Sequence, residues 1–148
     1  MNDVEIRKAI PDDLETLAKL DSEVSKHPWS LVNYQDADQN LGLKIYVLTK
    51  DDNIIGGAVI EDQVDEIEIH QIWIKQSETN QGYGKYLLNF IIKQLAVDQN
   101  TIYLQVAKSN LIAQKLYHSC GFSVVGVRSN YYTSNHDDAI IMLLELNQ

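Results

Sequence analysis

The sequence predicts a single α/β domain built on a mixed β-sheet. Three observations carry that expectation. Segments of strand-like and helix-like periodicity follow one another as β, α, α, β, β, β, α, β, α, β, β, so helices interrupt the strands. The chain has 148 residues, one domain's worth, with no internal repeat or long linker, and residues 1–148 are taken as that domain. Hydrophobic residues make up 45% and charged residues 22%, enough apolar material for a core without staples and too much for a disordered chain.

Val4, Ile6 and Lys8 alternate with Glu5, Arg7 and Ala9 in a short first strand. Pro11 suits a first helical turn, and Asp12 and Asp13 complement the positive end of the helix dipole. Leu14, Leu17, Ala18 and Val24 then form a helical stripe. His27-Pro28-Trp29-Ser30 interrupts it, and Ser30 can cap a second short helix through Leu31, Tyr34 and Ala37. Leu43 to Lys50 and Ile54 to Glu61 read as the arms of a hairpin across Asp51-Asp52-Asn53. Ile67 to Ile74 reads as a strand buried on both faces over part of its length. A polar loop, Gln76 to Gln81, leads into Gly82-Tyr83-Gly84-Lys85 and a helix with Leu87, Leu88, Ile91, Ile92, Leu95 and Ala96 on one side. Thr101 to Ala107 is a strand. Ser109 or Asn110 caps the next helix, and Gly121 ends it. Phe122 to Arg128 and Asp138 to Leu146 are the last strands, joined by a polar, aromatic loop from Ser129 to Asp137.

Composition narrows the class of function. The net charge is −9, from 12 Lys and Arg against 21 Asp and Glu, which disfavours direct binding to a nucleic-acid backbone and favours a basic partner. Apolar runs are too short to span a membrane, and the acidic first twenty residues carry no signal-peptide pattern. The one cysteine, Cys120, cannot pair within the chain, and with four scattered histidines it makes no metal pattern. These features suggest a cytoplasmic protein that needs no metal and acts as a monomer or weak dimer.

The segment with most chemical content is strand, polar loop, Gly82-Tyr83-Gly84, helix. Glycines there admit a ligand close to the backbone, and the free N–H groups of a new helix favour an anion. No Gly-Lys-Ser/Thr follows, so it is not a P-loop, and the third glycine of a dinucleotide fingerprint is missing. By periodicity alone Tyr117, on the stripe with Ala113 and Cys120, reads as core.

Asn110 to Phe122, with its Asn…Ala…Leu-Tyr…Gly-Phe pattern after the strand Tyr103-Leu104-Gln105-Val106, resembles the GNAT superfamily of N-acetyltransferases. The glycine loop lies at the matching distance, and the resemblance spans nearly the whole chain. It implies a GNAT fold, a mixed central sheet with helices on both faces. Within that superfamily, His27-Pro28-Trp29-Ser30, Val127 to Tyr132 and Asp137 to Met142 are similar to the bacterial ribosomal-protein S18 alanine N-acetyltransferases, the RimI enzymes. The resemblance implies acetyl-CoA as co-substrate, lying along Ile72, Trp73 and Ile74. It places the pyrophosphate on Asn80, Gln81, Gly82, Tyr83, Gly84 and Lys85, with Asn110 on the cofactor arm. Tyr117 becomes the general acid, and Trp29, Tyr131 and Tyr132 become walls of the acceptor cleft. The implied acceptor is the N-terminus of a basic ribosomal protein or peptide.

Two positions depart from the family pattern. Thr79 stands where the loop carries Gln or Arg, and Gln105 stands where the alanine N-acetyltransferases carry a catalytic Glu. An amide takes no proton at neutral pH. His70 and Glu68, on the central strand, are then the candidate bases. An α-amine, with a pKa of 7.7–8.0, is roughly a fifth neutral near pH 7.3, against about 0.1% for a lysine amine. The difference is roughly 3–4 kcal/mol of deprotonation, so a site with a weak base suits an α-amine. The alternatives are a small amine acceptor, such as a polyamine or amino sugar, and a non-catalytic acyl-CoA-binding module.

Overall fold

The computed structural model describes residues 3–132 and 137–146, the side chains of Asn130, Tyr131 and Tyr132 excepted. Seven strands form one sheet: β1 (Val4–Lys8), β2 (Leu43–Lys50), β3 (Asn53–Asp62), β4 (Glu66–Ile74), β5 (Thr101–Ala107), β6 (Ser123–Tyr132) and β7 (Asp137–Glu145). Their order across the sheet is β1-β2-β3-β4-β5-β7-β6, antiparallel except for the parallel β4–β5 pair. The parallel pair requires a crossover, which α3 (Tyr83–Phe90) and the π turn Ile91–Leu95 supply. The remaining helices are α1 (Leu14–Val24), α2 (Leu31–Asp38) and α4 (Leu111–Ser119).

Two apolar clusters sandwich the sheet. On one face Leu14, Leu17 and Leu20 of α1 and Tyr34 and Ala37 of α2 pack on Ile45, Val47, Val59 and Trp73. On the other, Leu87 and Leu88 of α3, Ile91 of the π turn and Tyr117 of α4 pack on Ile67, Ile69, Ile102, Leu104 and Ile140. Helices on both faces is thus the observed arrangement. The β2–β3 hairpin turns through Asp51 (φ 50°) and Asp52 (φ 67°), the paired left-handed residues that match strand twist in a two-residue loop. Ser30 caps α2 as expected, its side chain accepting from the Asn33 N–H at 3.1 Å. Among the described residues no helix is long and apolar enough to cross a membrane.

Two expectations are corrected and one is narrowed. The helix after Gly82 does not continue as α to Ala96; it becomes a π turn at Ile91, which still buries Ile91 on the stripe of Leu87 and Leu88. Of the two cap candidates for α4, Asn110 is the one used, with Oδ1 accepting from the Ala113 N–H at 3.2 Å. Strand β6 runs on through Tyr132 where a loop was expected, and its ladder with β7 shifts register between Arg128 and Tyr132. The strand-favouring aromatics extend the strand, and the polar residues before them obscure it.

The parallel ladder is short. β4 and β5 pair from Glu66↔Thr101 to Ile69↔Leu104 and no further. β4 continues along β3 to Ile74, and β5 continues along β7 to Ala107, so the two halves of the sheet part beyond Ile69 and Leu104. The cause is visible in β4. Val59 pairs with Gln71 and Ile60 with Ile69, leaving His70 as an extra residue, and such a bulge bends the strand and increases its twist.

The first strand is tied to the first helix by charge. Arg7 donates to both carboxylate oxygens of Asp13, at 2.8 and 3.2 Å, and the Ile10 N–H donates to Asp13 Oδ2 at 2.8 Å. The Arg7 hydrogen bond, working against desolvation, holds the Asp13 carboxyl below the usual carboxylate range. A depressed folded-state pKa stabilises the fold above the unfolded value, near 3.9, and that contribution is lost as pH falls through the folded pKa. Because Arg7 is half exposed, screening reduces the effect to about 1–2 kcal/mol. Asp13→Asn should therefore lower unfolding stability by that amount at pH 7, and in urea titrations the gap to wild type should narrow as pH falls below the unfolded value. A gap independent of pH would contradict the ion-pair origin.

Candidate active site

Where β4 and β5 part, the sheet opens into a cleft of about 520 Å³. Its long walls are Ile69 to Ile74 of β4 and Leu104 to Ala107 of β5. One end is closed by the loop Gln76 to Lys85 and the start of α3, and the floor by Asn110, Ala113, Leu116 and Tyr117 of α4. The other end runs under the α1–α2 connection at Val24 to His27. Because β5 has left, the backbone of Ile72, Trp73 and Ile74 presents an unpaired strand edge to the cleft.

The loop end suits an anion. Gly82 has φ +87°, and a Cβ built on it would meet nothing within 4 Å, so this glycine faces open space. Asn80 also lies in the left-handed region, at φ 63°. The first amides of α3, at Tyr83, Gly84 and Lys85, have no acceptor within the helix. Gly84 serves packing instead: a Cβ there would press on Leu116 Cδ2 at 3.3 Å. Thr79, the substituted loop position, donates its hydroxyl to the Gln76 carbonyl at 2.9 Å and steadies the turn. Lys85 is exposed, while Lys50 is engaged by Glu78 at 2.9 Å.

At the middle of the cleft lie Tyr117, Gln105 and His70. Tyr117 is 7% exposed and leans on Phe122, with ring centroids 6.0 Å apart. Gln105 Oε1 accepts from Arg128 Nη1 at 3.2 Å, so an arginine occupies the oxygen side of this amide. His70 Nε2 donates to Glu61 Oε1 at 2.8 Å, which leaves Nδ1 as the acceptor in the neutral ring. Glu68 does not line the cleft. It stands behind His70 at 3.7 Å and accepts from Tyr103 and Gln63 at 3.0 and 3.2 Å. Glu61, Glu68 and His70 bring potential ligand atoms within 4.8 Å of one another, with His70 hydrogen-bonded to Glu61 at 2.8 Å and 3.7 Å from Glu68.

Below the α1–α2 connection lies a buried polar hub. Asp21 is fully buried, and its Oδ2 accepts from Tyr34 OH at 2.6 Å, Gln71 Nε2 at 3.0 Å and the Trp29 N–H at 3.2 Å. Trp73 Nε1 in turn donates to Tyr34 OH at 3.0 Å. Burial, reinforced by the Asp21 carboxylate, pushes the Tyr34 hydroxyl far above its ordinary range and keeps it a donor. Trp73 fits against the sheet because Gly57 lies beneath it; a Cβ there would meet the indole at 2.8 Å. Trp29 packs edge-on to Tyr34 at 5.4 Å and beside His70 at 6.0 Å, behind the cleft lining. Gln81 is exposed outside the lining. The side chains of Tyr131 and Tyr132 lie outside the described residues.

Gln71 lines the cleft without having been singled out by sequence, and so does His27, which the sequence marked only as part of the His27-Pro28-Trp29-Ser30 segment. Burial lowers the His27 pKa and favours its neutral form. The signal for Gln71 was present: two polar residues in succession, His70-Gln71, break the Ile67, Ile69 alternation, and Ile72 restarts it.

Comparison with known proteins agrees with this geometry. Residues 12–122 match the Acetyltransferase (GNAT) family. The chain is 36% identical over 148 residues to the ribosomal protein bS18-alanine N-acetyltransferase of Haemophilus ducreyi, covering 95% of this chain and 99% of that one. It is 30% identical to the Escherichia coli protein of the same name, covering 91% and 93%. The crystal structure of the Escherichia coli ribosomal-protein-S18-alanine N-acetyltransferase superposes with a TM-score of 0.89 at 29% identity, covering 100% of this chain and 96% of that one. Ard1 from Thermoplasma volcanium shares the fold, with a TM-score of 0.88 at 18% identity and coverage of 98% and 99%. On the match over residues 12–122 and these near-full-length relatives, the chain belongs to the GNAT family of acetyltransferases.

Proposed function

We propose that this protein transfers an acetyl group from acetyl-CoA to the N-terminal α-amine of a protein, with the N-terminal alanine of ribosomal protein S18 as the acceptor. The observation that carries the reading is the parting of β4 and β5. It sets an unpaired strand edge, an amide-rich helix start and Tyr117 along one groove. The relatives' names support the acceptor.

The residues present fit the co-substrate. Ile72, Trp73 and Ile74 offer backbone groups to a pantetheine arm as a neighbouring strand would. The open Gly82 backbone and the amides of Tyr83 to Lys85 suit a pyrophosphate, and Lys85 adds charge. Acetyl-CoA supplies an activated thioester, so the protein has to place the amine, receive its proton and protonate the departing sulfur. Tyr117 is placed on the cleft floor to give its phenol proton to that sulfur as the C–S bond breaks and the N–C bond forms. His70, with Nε2–H held by Glu61, has Nδ1 to receive the proton released by the amine, directly or through water. Glu61 and Glu68, at 2.8 and 3.7 Å from His70 Nε2, hold the ring in position. Gln105, occupied by Arg128, orients rather than accepts. A carboxylate placed there would lie against the guanidinium, which favours its charged form and weakens it as a base.

Two measurements test the reading. Acetyl transfer to a peptide beginning with the S18 N-terminal alanine should exceed transfer to spermidine by roughly 100-fold or more in kcat/KM, since deprotonating the more basic polyamine costs about 3 kcal/mol more. Preference for spermidine would favour a small-amine enzyme, and thioester cleavage with no amine above the buffer rate would favour a binding module. Tyr117→Phe should leave the fold and acetyl-CoA affinity intact and lower kcat by roughly 100-fold. A kcat within about threefold of wild type would return Tyr117 to a packing role.

A further inference from the structure

We infer that Gln71 is the anchor of the acceptor amine, and that the buried Asp21 is the positioning residue that aims it. This deepens the α-amine reading above and rests on it. The amide nitrogen of Gln71 faces inward. It donates to Asp21 Oδ2 at 3.0 Å and reaches the His27 carbonyl oxygen at 3.5 Å. A carboxylate and a carbonyl are both acceptors only, so they fix which end of the amide is which. The other end, Oε1, has no hydrogen-bond partner among the described residues and is not a buried unsatisfied atom, so it remains reachable from the cleft that Gln71 lines. The bulge at His70 puts this acceptor beside the candidate base, since both residues line the same stretch of β4 just before the Ile72 to Ile74 edge.

A neutral amine has N–H donors and one lone pair. Giving one N–H to Gln71 Oε1 restricts how the lone pair can point, and favours the attitude in which it meets the thioester carbon. As the N–C bond forms, the nitrogen gains positive charge and its N–H becomes a stronger donor, so the bond to Oε1 tightens along the reaction. The amide itself takes no proton, and that proton leaves through His70 or water.

The test uses two peptides of one sequence, one starting with alanine and one in which a propionyl group replaces that alanine, so that it lacks the amine. Gln71→Met preserves side-chain length and removes the acceptor. It should lower kcat/KM for the alanine peptide by roughly 10- to 100-fold. Inhibition by the propionyl peptide and the Kd for acetyl-CoA should stay within about twofold of wild type, because neither depends on the amine contact. Asp21→Ala should produce the same selective loss, since it removes the acceptor that holds the Gln71 amide nitrogen inward. Where thermal melts show a variant unfolded, Gln71→Ala, which adds no atoms, repeats the measurement. An alanine-peptide kcat/KM within about threefold of wild type, or an equal loss of propionyl-peptide binding, would overturn the anchor while leaving the α-amine function standing. A wild-type protein inactive on the alanine peptide would overturn both.

Discussion

Four residue pairs hold β4 against β5, and the architecture of the candidate site follows from their ending at Ile69 and Leu104. Up to that point the sheet is continuous and buries Ile67, Ile69, Ile102 and Leu104 beneath α3. Past it, each strand keeps only its outer neighbour. The backbone groups left over cannot remain both buried and unpaired, so the opening has to meet water or a ligand. A ligand with alternating donors and acceptors that lies along β4 restores the missing ladder. The extra residue at His70 both starts the divergence and turns two consecutive polar side chains to the cleft, so one backbone irregularity supplies the binding edge and the groups beside it.

The parted sheet needs bracing at its far end, and Asp21 provides it. Its carboxylate gathers α1, the α1–α2 connection, α2 and β4 through Trp29, Tyr34 and Gln71. All three donors meet Oδ2 while Oδ1 is buried with no hydrogen-bond partner among the described residues, so removing any one donor would leave the charge still more poorly paired in an apolar cluster. The brace thus serves both packing and chemistry. The contact that anchors β4 under α1 also orients a cleft-lining amide.

Most of the fold was legible because periodicity and punctuation agreed. Alternation marked Thr101 to Ala107, Asp51-Asp52-Asn53 marked a hairpin, and Ser30 and Gly121 marked helix ends. The misses lay where a local signal stops speaking for the backbone. An apolar stripe at Leu87 to Leu95 reads alike for an α-helix and for one that loosens into a π turn. The polar lead-in to Tyr131 concealed the continuation of β6. At the site, the glycine loop and Tyr117 were readable from residue types and the resemblance, whereas the partner of each polar group was not. Neither Arg128 at Gln105 nor Glu61 at His70 is near in sequence, so only the sheet register brings them together. Gln71 owes its role to a bulge and to an aspartate fifty residues earlier.

On the function proposed above, one cleft holds both the acyl donor and the α-amine at once, joined where β4 and β5 part. The most direct measurement is calorimetric binding of a bisubstrate in which an acetyl bridge links the CoA sulfur to the α-nitrogen of the alanine peptide. If both halves seat together, the linked molecule should bind with 1:1 stoichiometry and roughly 100-fold or more tighter than CoA or the peptide alone, because the second contact becomes intramolecular. An affinity no better than that of CoA would contradict a shared cleft and a direct transfer between two ligands bound side by side.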